Sequence, residues 1–126
     1  MSLRDQIIGA RDLREQTVAV PEWGGPVLLV EMDGASRLSF DDESAALKAD
    51  GRKEDGMGLA ARLLVRCIHD PETRERVFAD DDAPKVMKKN PKVLMRLFRV
   101  AAALNTATEK EVESEAGKSA GAPSAG

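Results

Sequence analysis

Two stretches of this chain carry apolar residues at helical spacing, and they limit its fold more than any other feature. Ala60, Leu63, Leu64, Cys67 and Ile68 recur at i, i+3, i+4, i+7 and i+8. That is the stripe of an amphipathic helix, which has to be buried against something. Leu94, Leu97, Phe98, Ala101 and Leu104 form a second stripe. It is opened by Asn90-Pro91, an N-cap followed by the residue best suited to the first helical position. The filling available between such helices is narrow. One Trp, three Phe and no Tyr in 126 residues leave Leu, Val, Ile, Met and Ala to build the core, and a chain of this length makes one domain.

The N-terminal part reads differently. β-type runs at residues 17–20 and 27–32 flank Pro21-Glu22-Trp23-Gly24-Gly25-Pro26, which predicts a hairpin. Pro21 and Pro26 are expected to confine its pairing to the outer parts. A lone hairpin is marginal in water, so this one must lean on helices. Residues 3–15 carry Leu3, Ile7, Ile8 and Leu13 among charges and read as a short amphipathic helix. Residues 35–48 read as a polar helix with Ser39 or Asp41 near its cap, and 50–56 as a solvated loop. The helix of residues 57–69 is expected to end at Pro71, with Arg62 and Arg66 off its apolar stripe. A turn at Asp70-Pro71-Glu72-Thr73 leads to the short β-type run Arg76-Val77-Phe78. Asp80-Asp81-Asp82 can cap a helix through Val86 and Met87. From residue 109 onward Val112 is the only large apolar residue, and such a segment cannot offset chain entropy by burial. The expected class is α+β, mainly α-helical: a short N-terminal β-hairpin packed on a small helical bundle over residues 1–105. A disordered acidic, small-residue tail or linker follows over 106–126.

A search for chemistry finds binding features only. The lone His69 and lone Cys67 do not supply the paired ligands a metal site needs, and residues two apart on a helix do not face one another as a nucleophile pair would. The acidic runs sit in polar contexts, as solvated or capping groups. No phosphate-binding glycine loop is present. No catalytic residue, cofactor or metal is therefore assigned, and the chain is not read as an enzyme. A net charge of -3 argues against non-specific nucleic-acid binding. Lys85, Lys88, Lys89, Lys92, Arg96 and Arg99 do form a basic stretch, either a solvated face or a surface for an acidic partner, with DNA a third option. Trp23, at the hairpin tip, either folds back onto a helix or anchors a partner. If the small core leaves apolar stripe uncovered, Leu63 and Leu64 on one helix and Leu94, Leu97 and Phe98 on the other are candidate partner contacts, with internal core as their alternative role. Lys88 and Arg96 are the candidate electrostatic contacts. The start of the chain has no signal-peptide pattern, no segment approaches a membrane span, and a single cysteine fits a reducing compartment, which together predict a cytosolic protein.

The order of these motifs is familiar. Val20-Pro21-Glu22-Trp23-Gly24 is followed by Met32, Gly34 and Arg37, then by Asp70 to Thr73, Arg76 to Phe78, an acidic cap, a last amphipathic helix ending near Leu104-Asn105 and a Glu-rich tail. Over residues 3–118 this resembles the tail assembly chaperones of siphovirus-type, long-tailed bacteriophages. Arg74 departs from that pattern, standing where a Gly often closes the turn, and the basic stretch is heavier than the pattern has. The resemblance implies a chaperone that binds the helix-rich tape-measure protein and keeps it soluble in the host cytoplasm while tail-tube subunits polymerise. It also implies absence from the mature virion. A longer form made by a −1 ribosomal frameshift would contact the tail-tube protein. Gly117-Lys118 is a pair that a slippery heptamer can encode, which would make the tail a linker. Self-association is a further expectation. The competing readings are a structural head–tail completion or minor tail protein, and a small nucleic-acid-binding regulator.

Overall fold

The computed structural model describes the backbone of residues 2–52 and 55–119, with side chains described as far as Asn105. The elements run α1 (Leu3–Gly9), β1 (Glu15–Val20), β2 (Gly25–Val30), α2 (Gly34–Ala49), α3 (Gly56–Cys67), β3 (Ile68–His69), α4 (Ala83–Val86) and α5 (Pro91–Ser119). The α+β class, dominated by helix with a small N-terminal sheet, is as expected. The tail expected at 106–126 lies beyond the described side chains: the backbone of α5 continues to Ser119, and residues 120–126 fall outside the described residues.

The hairpin pairs antiparallel from Glu15 opposite Val30 to Val20 opposite Gly25. Both strands therefore start two residues earlier than the β-type runs suggest, and pairing continues up to the turn. The prolines permit this. Pro21 lies in the 3-10 turn Pro21–Trp23. Pro26 sits opposite Ala19, at a height where β3, which reaches only Leu28 and Leu29, leaves the far edge of β2 open. Gly24 closes the turn at φ 93, with its N–H donating to the Pro21 carbonyl at 3.1 Å. That conformation is open to glycine at little cost.

α1 stops at Gly9, short of the expected residue 15. Residues 10–14 leave the helix to run beside the sheet, where the Arg14 N–H donates to Glu31 Oε1 at 2.8 Å and the Glu31 N–H donates to the Arg14 carbonyl at 2.9 Å. α2 is capped by Asp33, which accepts from the Ser36 N–H at 2.8 Å, and not by Ser39 or Asp41. The helical stripe of α3 also ends early. Ile68 and His69 turn extended and pair with Leu29 and Leu28, so His69 belongs to a strand and not to a helix end. Pairing with the open edge of β2 outweighs a periodicity that would carry Ile68 onto the helix.

The turn after Asp70 forms as expected. Asp70 Oδ1 accepts from the N–H groups of Glu72 and Thr73, and the Arg74 N–H donates to the Asp70 carbonyl at 2.7 Å. Arg74 closes it at φ 65, a left-handed conformation that costs a residue with a Cβ about 1 kcal/mol. Its guanidinium is held by Glu15 on β1. Asn90 caps α5 through the Lys92 N–H at 2.8 Å.

The core lies where α3 and α5 pack together against the inner face of the hairpin. Val20 and Leu29 from the sheet meet Ala61, Leu64, Val65 and Cys67 of α3 and Val93, Leu94, Leu97 and Ala101 of α5. Asn105 closes this packed part: its Oδ1 accepts from the Met32 N–H at 3.0 Å, and its Nδ2 donates to the Ala101 carbonyl at 2.8 Å.

Candidate partner-binding surfaces

The two apolar stripes are used up inside the domain. Leu64, Leu94 and Leu97 have no exposed surface and Leu63 has almost none. These four, expected as partner contacts, are core residues in this conformation. The physical reason is that the stripes of α3 and α5 face one another, and Val20 and Leu29 fill the remaining space, with the aromatic groups packed only at the margin. Phe98 is half-buried against the edge of that core. Lys88 is exposed. Arg96 is already matched, its guanidinium donating to both carboxylate oxygens of Glu22 at 3.0 and 3.1 Å. That fork holds the Glu22 carboxyl down at about 2, with the residue's own backbone N–H as a second cause. Arg96 thus fastens the hairpin tip to α5.

Trp23 folds back onto the core without being fully covered. It is half-buried there, and it also lines a depression of about 280 Å³ with Phe78, Val86, Lys85 and Lys89. The second open apolar surface is α1. Ser2 caps this helix through the Asp5 N–H at 3.1 Å, yet none of its residues is buried. Leu3, Ile7 and Ile8 are 64–73% exposed. Seven residues are too few for a helix to be stable by itself in water, and three large apolar groups on one turn-and-a-half of chain are the material of a contact surface.

Sequence reasoning missed the polar cluster between α2 and α3. Arg62 and Arg66, read as lying off the stripe, are both buried. Arg66 donates to the Arg62 carbonyl at 2.9 Å and to Ser39 Oγ at 3.0 Å, and it lies 3.3 Å from carboxylate oxygens of both Glu43 and Asp80. Arg62 reaches Glu43 at 3.1 Å and Ser44 at 2.7 Å, and its guanidinium lies 4.5 Å from the Phe40 ring centroid. Asp80 is no simple cap. It accepts from Ser39 at 2.6 Å and from Arg76 at 2.8 Å, and the Ser39 hydroxyl is the main cause holding its carboxyl below the usual range. The i, i+4 spacing of Arg62 and Arg66 beside an apolar stripe was the available signal. Their carboxylate partners lie 14–23 residues away in sequence and could not be assigned from it.

Neither Cys67 nor His69 is placed for chemistry. Burial pushes the Cys67 thiol up to about 11, and His69 Nδ1 lies 3.1 Å from the Arg74 carbonyl. Among the described residues no group of His, Cys, Asp or Glu could hold a metal ion, and no helix is long and apolar enough to cross a membrane.

Comparison with known proteins agrees with this picture of a binding protein. A family model described as phage tail assembly chaperone matches residues 2–118. Among solved structures the chain is similar to the bacteriophage HK97 tail assembly chaperone, at 26% identity and a TM-score of 0.54, over 80% of this chain and 91% of that one. No curated protein matches. The family is one of chaperones and not of enzymes, and a match over nearly the whole length places this chain in it: the protein belongs to the phage tail assembly chaperone family.

Proposed function

We propose that the chain binds the tape-measure protein of a long-tailed phage and keeps it soluble in the host cytoplasm while tail-tube subunits polymerise around it, and that it is absent from the finished virion. The observation that carries this reading is the open apolar face of α1, with Leu3, Ile7 and Ile8 exposed on a helix none of whose residues is buried. A helix-rich, apolar partner covers such a face by laying a stripe of its own against it. Trp23 and Phe98, both at the margin of the core, and Lys88 with its basic neighbours extend the contact. Residues 1–105 form the binding domain and 106–126 serve as a linker. A −1 frameshift at Gly117-Lys118 would join that linker to a second domain that contacts the tail-tube protein.

The test is co-expression of the tape-measure protein with and without this chain. The expected result is that the tape measure becomes soluble and co-purifies only in its presence. Unchanged solubility, with this chain and any frameshifted form both supplied, would overturn the reading, and recovery of the chain in purified particles would favour a structural tail component.

A further inference from the structure

The depression beside Trp23 has two properties that a single occupant must match. Its floor is apolar, made by Trp23, Phe78 and Val86, and its rim carries Lys85 on α4 and Lys89 just beyond that helix. Lys88 and Lys92, both exposed, continue the cationic surface. Among the described residues the one ion pair formed by these four lysines joins Lys85 to Asp82 at 3.7 Å, and that lysine side chain is 82% exposed. Glu22, beside Trp23 at the hairpin tip, is engaged by Arg96.

The complementary chemistry is in this same sequence. Residues 109–115 read Glu-Lys-Glu-Val-Glu-Ser-Glu. Four carboxylates surround Val112, the only large apolar residue after Leu104. In the sequence Val112 thus stands between Glu109 and Glu115, three residues to either side. The segment cannot reach the depression on its own domain while it follows the line of α5. Arg96 meets the hairpin tip beside the depression, whereas Asn105, roughly nine residues and about 14 Å further along the helix, is tied to Met32. Each additional turn of α5 carries the segment further away. The depression it can reach belongs to another molecule.

We propose that residues 109–115 of one copy dock on a second copy, seating Val112 among Trp23, Phe78 and Val86 and setting Glu109 and Glu115 against Lys85 and Lys89. This contact shares Trp23 and the lysine surface with the tape-measure reading but uses none of the α1 residues that carry that reading, so loss of self-association with tape-measure solubilisation intact, or the reverse, tells the two apart.

The experiment uses the full chain, alone, from micromolar to hundreds of micromolar, followed by sedimentation velocity and by the fluorescence of Trp23, its sole tryptophan. The wild-type chain is expected to associate, with a Trp23 shift that tracks association. Lys85→Glu/Lys89→Glu, Glu109→Lys/Glu115→Lys and Val112→Ser should each weaken association at least about tenfold with unchanged far-UV circular dichroism. Mixing the two charge-reversed chains should restore it, because each tail then meets a depression of opposite sign. A wild-type chain that stays monomeric throughout overturns the proposal. So do variants that associate as tightly as wild type, or a Trp23 shift that depends on the tail charges but not on concentration, which would place the contact within one molecule.

Discussion

The Arg66 side chain has no exposed surface, and a buried charge persists only where partners replace its water. Here Glu43, Asp80, Ser39 and the Arg62 carbonyl do so, although Nε remains without a hydrogen-bond partner. Removing one side of such a network is costly, because the remaining charges lose their counterpart. Arg66→Met should therefore destabilise the domain by about 3 kcal/mol. Arg66→Lys should rescue little, since an ammonium cannot reproduce a planar fork spread over several acceptors. Urea unfolding of the three proteins checks this, and a loss below about 1 kcal/mol would rank the arginine with exposed pairs. Glu22 gives a prediction in pH. Its carboxyl is lowered from the usual 4.5 to about 2 by Arg96. A depressed acid contributes stability above its unfolded value and loses it as pH falls toward its folded one. The melting temperature of wild type should thus exceed that of Glu22→Gln at neutral pH, and the gap should close between about pH 4.5 and 2. A gap that persists unchanged at pH 2 would detach it from the Arg96 fork.

At the scale of elements, α1 and α2 are held in unlike ways. α2 has no buried residue and is fastened to α3 by the two arginines, through Glu43, Ser39, Ser44 and the face of Phe40. Among the described residues α1 has no such fastening, and none of its residues is buried. Deleting residues 2–9 should accordingly leave the melting temperature within a few degrees of wild type, because surface removal that uncovers no core costs about 0.5 kcal/mol or less, while tape-measure solubilisation falls away. A large drop in melting temperature would show that α1 supports the fold and would undercut its role as a docking surface. Element identity was readable wherever periodicity met punctuation: the 60–67 and 94–104 stripes, Asn90-Pro91, and the glycines and prolines between the strands. Element ends were not, because long-range pairing decides them. Ile68 continues the helical stripe in sequence but pairs with Leu29 in space, and residues 10–14 leave a helical pattern to bond with Glu31. The candidate contacts suffered from the same blindness. An apolar stripe announces burial but not against what, so the sequence leaves Leu63, Leu64, Leu94 and Leu97 open as core or interface, and it is the packing of α3 on α5 beside the hairpin that buries them.

For the molecule as a whole, the hairpin, α3 and α5 share a single core, so the sheet has no stability separate from the helices. Val20 and Leu29 have no exposed surface and pack in the same cluster as Leu64 and Leu97, and Arg96 and Asn105 fasten the two ends of the hairpin to α5. This explains how a chain with four aromatic residues tolerates a hairpin that would be marginal alone. It also predicts one transition. Trp23 sits at the hairpin tip and reports the sheet, whereas the far-ultraviolet circular dichroism reports the helices. In urea the two signals should give the same midpoint and slope, as they do when no intermediate is populated. Leu64→Ala, which empties the centre of the shared cluster, should shift both midpoints together by an amount equivalent to about 2–5 kcal/mol. If Leu64→Ala moved only the dichroism curve, the hairpin would be an independent unit resting on the helices, and Trp23 could not be fixed by the core that Arg96 joins it to. Coincident shifts would mean that the surface presented at Trp23 exists only while the whole domain is folded.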